Sequence, residues 1–152
     1  MTKITMEKIV NGVEEKLKDM TNRANSIQAY FARVAYPTYQ KAQIERWQSE
    51  NASQGKKWEK LDPIYAKRKL VKFAGFEYAG TKMLIATGDL FKSVVGPGSK
   101  GHQAKFTNTS MTVGTDVSYA GYVAEIRPFM KFSDATIKKW KDDLSDFIMG
   151  VI

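Results

Sequence analysis

Few residues in this chain have types suited to bond-making chemistry. His102 is the single histidine and cysteine is absent, so a nucleophilic centre would need a serine or threonine activated by that histidine, itself held by a carboxylate. His102 follows Gly96-Pro97-Gly98-Ser99-Lys100-Gly101, a run that predicts a flexible connection, whereas a catalytic base needs a rigid support. No catalytic residue is expected. The glycines also match a dinucleotide fingerprint, but such a motif follows a strand and opens a helix. Here residues 104 to 115 alternate like a hairpin about Asn108-Thr109, and Pro97 would remove a donor from the cradle. The run fails as a phosphate-binding lysine loop too, because His102 stands where the lysine is required. No cofactor site is expected. One histidine without cysteine leaves any metal to carboxylates. Asp89, Asp116 and Glu125 are the candidates for a converging group, but Asp89 and Asp116 read more simply as a helix-start charge and a turn residue. No metal site is expected.

The remaining chemistry is charge. The formal net charge is +8, which suits either a polyanionic partner or a well-solvated surface; the second is favoured. Lys67, Arg68 and Lys69, with Lys138 and Lys139, form the candidate basic patch, and Tyr65 and Phe73 interleave it with aromatics. Three consecutive basic residues on a helix point around it rather than along one face. A nucleic-acid partner is therefore the second reading.

At 152 residues the chain suits one hydrophobic core. A single α+β domain is expected over 1–152, with a helical arm over 1–50 and a sheet-containing core over 56–150. No apolar run has the ~18 residues that cross a bilayer, so no membrane partner is expected and the protein should be soluble where it is made.

The elements follow from periodicity. Ile9, Val13, Leu17 and Met20 recur at helical spacing, Ile27, Phe31 and Val34 continue the pattern, and Pro37 predicts a kink after Tyr36. Tyr39, Ile44 and Trp47 mark a last face ending near Ser49. This arm reads either as a subunit contact or, slightly preferred, as an antiparallel helix pair. Asn51 to Lys57 is a polar loop, after which Trp58 and Leu61 return to the core. Asp62-Pro63 starts a short basic helix, and Gly75, Phe76, Tyr78 and Gly80 form a loop. Thr87 caps a helix carrying Leu90 and Val94. Met111, Val113 and Thr115 line one side of a strand that turns at Asp116, and Ser118 caps a helical turn. Pro128 is expected at a sheet edge with Phe129 buried. Ser133 caps a last helix whose Trp140 and Phe147 are expected to lie across the sheet. The fold class is thus α+β: a small, mainly antiparallel sheet packed with a long N-terminal helical region and a C-terminal amphipathic helix.

Part of this pattern resembles a known family. Trp58 with Leu61, then Thr87-Gly88-Asp89-Leu90 with Ser93, then Gly114, then Tyr119-Ala120, then Arg127-Pro128-Phe129 resemble, in that order, the virion morphogenesis and tail-completion proteins of tailed bacteriophages. These are the Mu-type G protein and related head–tail connector proteins. The likeness spans roughly residues 44 to 148 and rests on the ordered set. A His-Gln-x-Gly-like loop of the family is shortened here, with Tyr122 to Ile126 leading directly into Arg127. The resemblance implies a non-enzymatic structural protein that joins head to tail or completes the tail, acting as a homo-oligomer or ring. Its implied partners are neck, portal-side or tail-side proteins; its implied place is the virion, and the host cytoplasm during assembly. It also suggests that the arm, or the loop from Gly96 to Gln103, becomes ordered on assembly.

Overall fold

In the computed structural model, residues 6–76 and 83–152 are described, side chains of residues 6–11 excepted. The expectations for the Ile9 side chain and for Tyr78 and Gly80 therefore lie outside the described residues. The chain begins with α1 (Met6–Ala24), a short α2 (Ile27–Tyr30), a π-helical turn (Phe31–Ala35) and α3 (Tyr36–Gln48). The chain breaks at Asn25-Ser26 rather than at Pro37. Pro37 lacks the amide that would bond one turn back, and the π turn immediately upstream absorbs this missing bond, so Tyr36 and Pro37 continue as helix.

A 3-10 turn (Ala52–Gln54) lies in the expected polar loop, and α4 (Pro63–Lys72) starts as its sequence predicts. Asp62 accepts from the amides of Ile64 and Tyr65 at 3.0 and 2.9 Å, satisfying two donors of the first turn. After α5 (Asp89–Val95) come β1 (His102–Phe106) and β2 (Met111–Thr115), an antiparallel pair with His102 opposite Thr115. Two helices close the chain: α6 (Ala120–Ile126) and α7 (Asp134–Met149). The fold class is α+β, mainly helical with one small antiparallel sheet.

The core gathers around α3 instead of around the sheet. Tyr39 and Trp47 from α3 meet Trp58, Met83, Ile85, Leu90, Val94, Ala120 and Phe129. Trp47 is the hub, with ring centroids 5.6 to 5.7 Å from those of Trp58, Phe91 and Phe129. Ile44, expected on the inner face, is exposed, and Gln43 and Arg46 take the inner positions.

Three further expectations are corrected. Pro128 occupies no sheet edge: residues 127–132 are irregular, and their carbonyls bond to side chains in place of a neighbouring strand. Trp140 and Phe147 do not cross the sheet, which offers α7 little apolar surface because β1 is largely exposed. Trp140 packs on Phe132 at 4.7 Å and Phe147 on Tyr30 at 5.1 Å. α7 instead meets α1, whose Lys16 and Arg23 donate to the carbonyls of Met149 (2.6 Å) and Phe147 (3.4 Å), groups that a helix leaves without partners at its C-terminus. Ser118 caps nothing: α6 starts after Tyr119, without a side-chain cap. Ser133 does cap α7, accepting from the Thr136 amide at 3.2 Å.

Candidate functional site

All the family-like positions but Gly114 and Pro128 fall into two groups. Trp58, Leu90, Ser93, Ala120 and Phe129 are buried. Leu61, Thr87, Gly88, Leu90, Tyr119 and Arg127 line a groove of about 710 Å³ between α4 and α6. Leu90 belongs to both, forming floor and core together. Most of the ordered motif is therefore a framework around one groove.

The framework is tied together by hydrogen bonds that cross long stretches of sequence. Trp58 Nε1 donates to the Pro128 carbonyl at 3.2 Å. Fully buried Gln43 donates from Nε2 to the Phe129 carbonyl at 3.0 Å, and fully buried Arg46 donates from Nη1 to the same oxygen and from Nη2 to the Lys131 carbonyl. The guanidinium also lies 4.5 Å from the centre of the Phe132 ring, so carbonyls and an aromatic face receive the charge. Burial lowers Arg46 to about 10, which leaves it charged at neutral pH. Tyr39 donates to the Val94 carbonyl at 3.0 Å, and burial raises its phenol to about 12. Sequence reasoning missed Gln43 and Arg46. Their signal was present: they share a helical face with Tyr39 and Trp47, a polar pair set among aromatics.

Ser93 joins α5 to both strands. Its hydroxyl donates to the Leu90 carbonyl at 2.8 Å and lies 2.7 Å from Thr115 Oγ1. Its carbonyl lies 2.6 Å from His102 Nδ1, and the other ring nitrogen is 2.6 Å from the Tyr36 hydroxyl. A carbonyl can only accept, so Nδ1 carries the proton and Nε2 accepts from Tyr36 in the neutral ring. His102, expected in a flexible loop, thus begins a strand and is held at both nitrogens. The preceding turn is closed by bonds from Ser99 to Gly96 and from His102 to Ser99. Gly101 has φ +85°, a left-handed backbone that favours glycine, and a Cβ there would lie 2.8 Å from Asp116 Oδ1, so the carboxylate would have to shift.

The carboxylates are employed locally. Thr87 Oγ1 donates to Asp89 Oδ2 at 2.7 Å and accepts from the Asp89 amide at 3.3 Å; Gly88, with φ +87°, is the N-cap, one residue later than expected. Asp116 accepts from Gln103 at 3.0 Å. Among the described residues, no three histidines or carboxylates stand together as metal ligands, and no helix is long and apolar enough to cross a membrane.

The candidate basic patch is divided by the fold. Lys67 and Arg68 are exposed, whereas Lys69 turns inward along the groove and is nearly buried. Burial first, then the Arg127 charge, lowers its ammonium. Lys138 and Lys139 lie on α7 and pair with Asp142 and Asp143 at 2.8 and 2.7 Å. Arg127 lines the groove, donating from Nη2 to the Glu59 carbonyl at 3.2 Å, while its buried Nε has no hydrogen-bond partner among the described residues. The Tyr119 phenol is raised by burial and then by Asp89, and a bond from the Leu90 backbone opposes them. Gly114 pairs with Gln103 across the ribbon; a Cβ there would meet nothing within 4 Å, so the fold does not explain this glycine.

Comparison of the chain with protein-family models, with curated proteins and with solved structures finds no match.

Proposed function

We propose that this chain is a non-enzymatic structural part of a tailed-bacteriophage particle, acting in head–tail joining or tail completion by docking onto copies of itself and onto neck, portal-side or tail-side proteins. The observation that carries the proposal is the apolar surface it leaves uncovered. Val13 and Leu17 on α1, Ile64, Leu70 and Val71 on α4, and Tyr122 and Ile126 on α6 are all exposed, apolar side chains that docking onto a neighbour would cover. The side chains suited to chemistry point the same way. His102, Asp89 and Asp116 each have a partner within the fold. In this reading the family-like residues shape a building part, placed in the virion and assembled in the host cytoplasm.

The test is loss of the gene in the phage or lysogen that carries it, with electron microscopy of the resulting lysate. Separate heads and tails, or unfinished tails, restored to whole particles by the wild-type gene, support the reading. Normal infectious particles lacking the chain overturn it. The second reading, a small basic nucleic-acid-binding module, predicts retarded DNA in a gel shift at low salt and steep loss of binding as salt rises. Dispersal of the basic residues disfavours it.

A further inference from the structure

The hydrogen bonds of the β1–β2 ribbon leave one of its edges unused. Bonds from the Asp116 amide to the Gly101 carbonyl (2.9 Å) and from the Thr107 amide to the Ser110 carbonyl (2.8 Å) bracket the ribbon. With His102 opposite Thr115, the alternation of an antiparallel pair gives the bonds between them to Gln103 with Gly114 and to Lys105 with Thr112. The amides and carbonyls of Met111, Val113 and Thr115 therefore point away from β1, and none of them bonds to a described residue. The far edge of β1 differs. There the His102 amide donates to the Ser99 carbonyl at 3.0 Å, and the Phe106 carbonyl accepts from Gln28 Nε2 at 3.3 Å.

Backbone groups with no partner in the fold must bond to water or to another chain. Open edges are ordinarily guarded by a charge, a proline, a bulge or a covering segment. β1 carries Lys105, whereas β2 is Met-Thr-Val-Gly-Thr, uncharged and without proline, and its register with β1 is unbroken. Gly114 is a second, separate observation. Glycine inside a strand marks a bulge or the close approach of another backbone. No bulge is present, and a Cβ at Gly114 would meet nothing within 4 Å in its own chain, so the approach comes from outside.

The symmetry of the strand identifies what approaches. Val113 is its middle residue. Laid antiparallel to itself about Val113, β2 sets Met111 against the partner's Thr115 and Val113 against the partner's Val113, and every outward amide and carbonyl acquires a partner. Thr112 then faces the partner's Gly114 in the close, non-hydrogen-bonded pairing, and no like charges meet across the two-fold axis. We propose that two copies of this chain join through the free edge of β2, so that their two ribbons become one continuous antiparallel sheet. The contact is isologous and closes at two copies. It deepens the self-docking in the assembly reading above and rests on it.

The experiment is amide hydrogen exchange followed by NMR on the full chain, over a concentration series reaching about 1 mM, the weak end of specific association. Exchange at the amides of Met111, Val113 and Thr115 should slow as concentration rises, while the Ala104 amide, on the far edge of β1, keeps its rate. Val113→Pro removes the central amide, which β1 does not use, so the ribbon retains its own bonds. Self-association should weaken by about tenfold or more, the scale of losing two hydrogen bonds. The chain contains no cysteine, and the close pairing is within disulfide reach. Thr112→Cys and Gly114→Cys copies should therefore cross-link when mixed, and neither should do so alone, because like copies hold their thiols too far apart.

Wild-type chain that stays monomeric throughout overturns the proposal, as does association undiminished by Val113→Pro or one in which the mixed cysteine variants fail to cross-link. If Val113→Pro does not fold, exchange at the Val113 amide and the mixed cross-link still decide the matter. Any of these negative results leaves the assembly reading to its own test, the appearance of particles made without the gene.

Discussion

Replacing Arg46 with methionine decides whether the buried guanidinium holds the irregular segment after Arg127 in place or merely burdens the core. The substitution removes the bonds to the Phe129 and Lys131 carbonyls. Hydrogen bonds to a charged donor contribute roughly 1.5 to 3 kcal/mol each. The Phe129 oxygen keeps Gln43, which puts that bond toward the low end. Loss of the guanidinium over Phe132 removes about 2 kcal/mol more, of which a methionine sulfur against the same ring returns about half. Opposing these losses, the variant no longer buries a charge, and the fall of Arg46 from 12.5 to about 10 corresponds to about 3 kcal/mol. The balance is a net loss of about 2 kcal/mol, a sizeable part of the roughly 5 to 15 kcal/mol that stabilises an ordinary domain. Urea unfolding measures it. Trypsin supplies the local readout, since cleavage after Lys131 should accelerate in the variant. A variant as stable as wild type, with Lys131 equally protected, would refute the reasoning: desolvation would then cancel the bonds, and the segment would be held by Phe129 packing and the bonds from Gln43 and Trp58.

Asp62→Ala should cost about 1 kcal/mol through loss of the α4 cap, seen as a lower thermal midpoint. Gly101→Ala should cost about 1 to 2 kcal/mol, chiefly through the left-handed backbone with a small addition for displacing the Asp116 carboxylate; urea unfolding measures the loss, and an unchanged midpoint would mean that the turn relaxes freely. Tyr39 supplies a pH dependence. Its folded value is raised from 10.0 to about 12, so the stability attached to the neutral phenol is complete below pH 10 and is lost as pH rises from 10 through about 12. Arg46 acts in the opposite direction above about 10, because the folded chain releases its proton first. Tyr39→Phe separates the two: its deficit relative to wild type should shrink between about pH 9 and about pH 11, and a deficit independent of pH would contradict the assignment.

Local patterns were legible in the sequence because their causes lie within a few residues. Asp62 before Pro63, Ser133 at the start of α7, and alternation through the hairpin all act over one turn or one strand pair. The burial of Phe129 and Trp58 was also legible, since large aromatics bring the greatest gain on leaving water. Other features depend on partners far along the chain. Arg46 looks like any surface arginine until the carbonyls of Phe129 and Lys131 are brought beside it. His102 follows a glycine-rich turn, and only packing against Tyr36 and Ser93 fixes its ring. The apolar face of α7 was recognisable, but its partner was not, because a stripe does not specify what covers it. Pro37 suggested a break that the preceding wide turn made unnecessary. For the groove, the individual positions were named in advance; their arrangement around one channel required the path of α4 and α6.

The wide turn at Phe31–Ala35 carries one residue more per repeat than the helix on either side. Removing a single residue there would restore ordinary winding with no turn gained or lost, so the helix upstream would keep roughly its rotation relative to α3. Lys16 and Arg23 would then stay at the end of α7, and Tyr39, Gln43, Arg46 and Trp47 would keep their places. The same deletion within α3, which has no surplus residue to give up, would turn everything upstream by about 100°; the wide turn is therefore a slack link, where the chain can lose a residue without re-aiming its first helix.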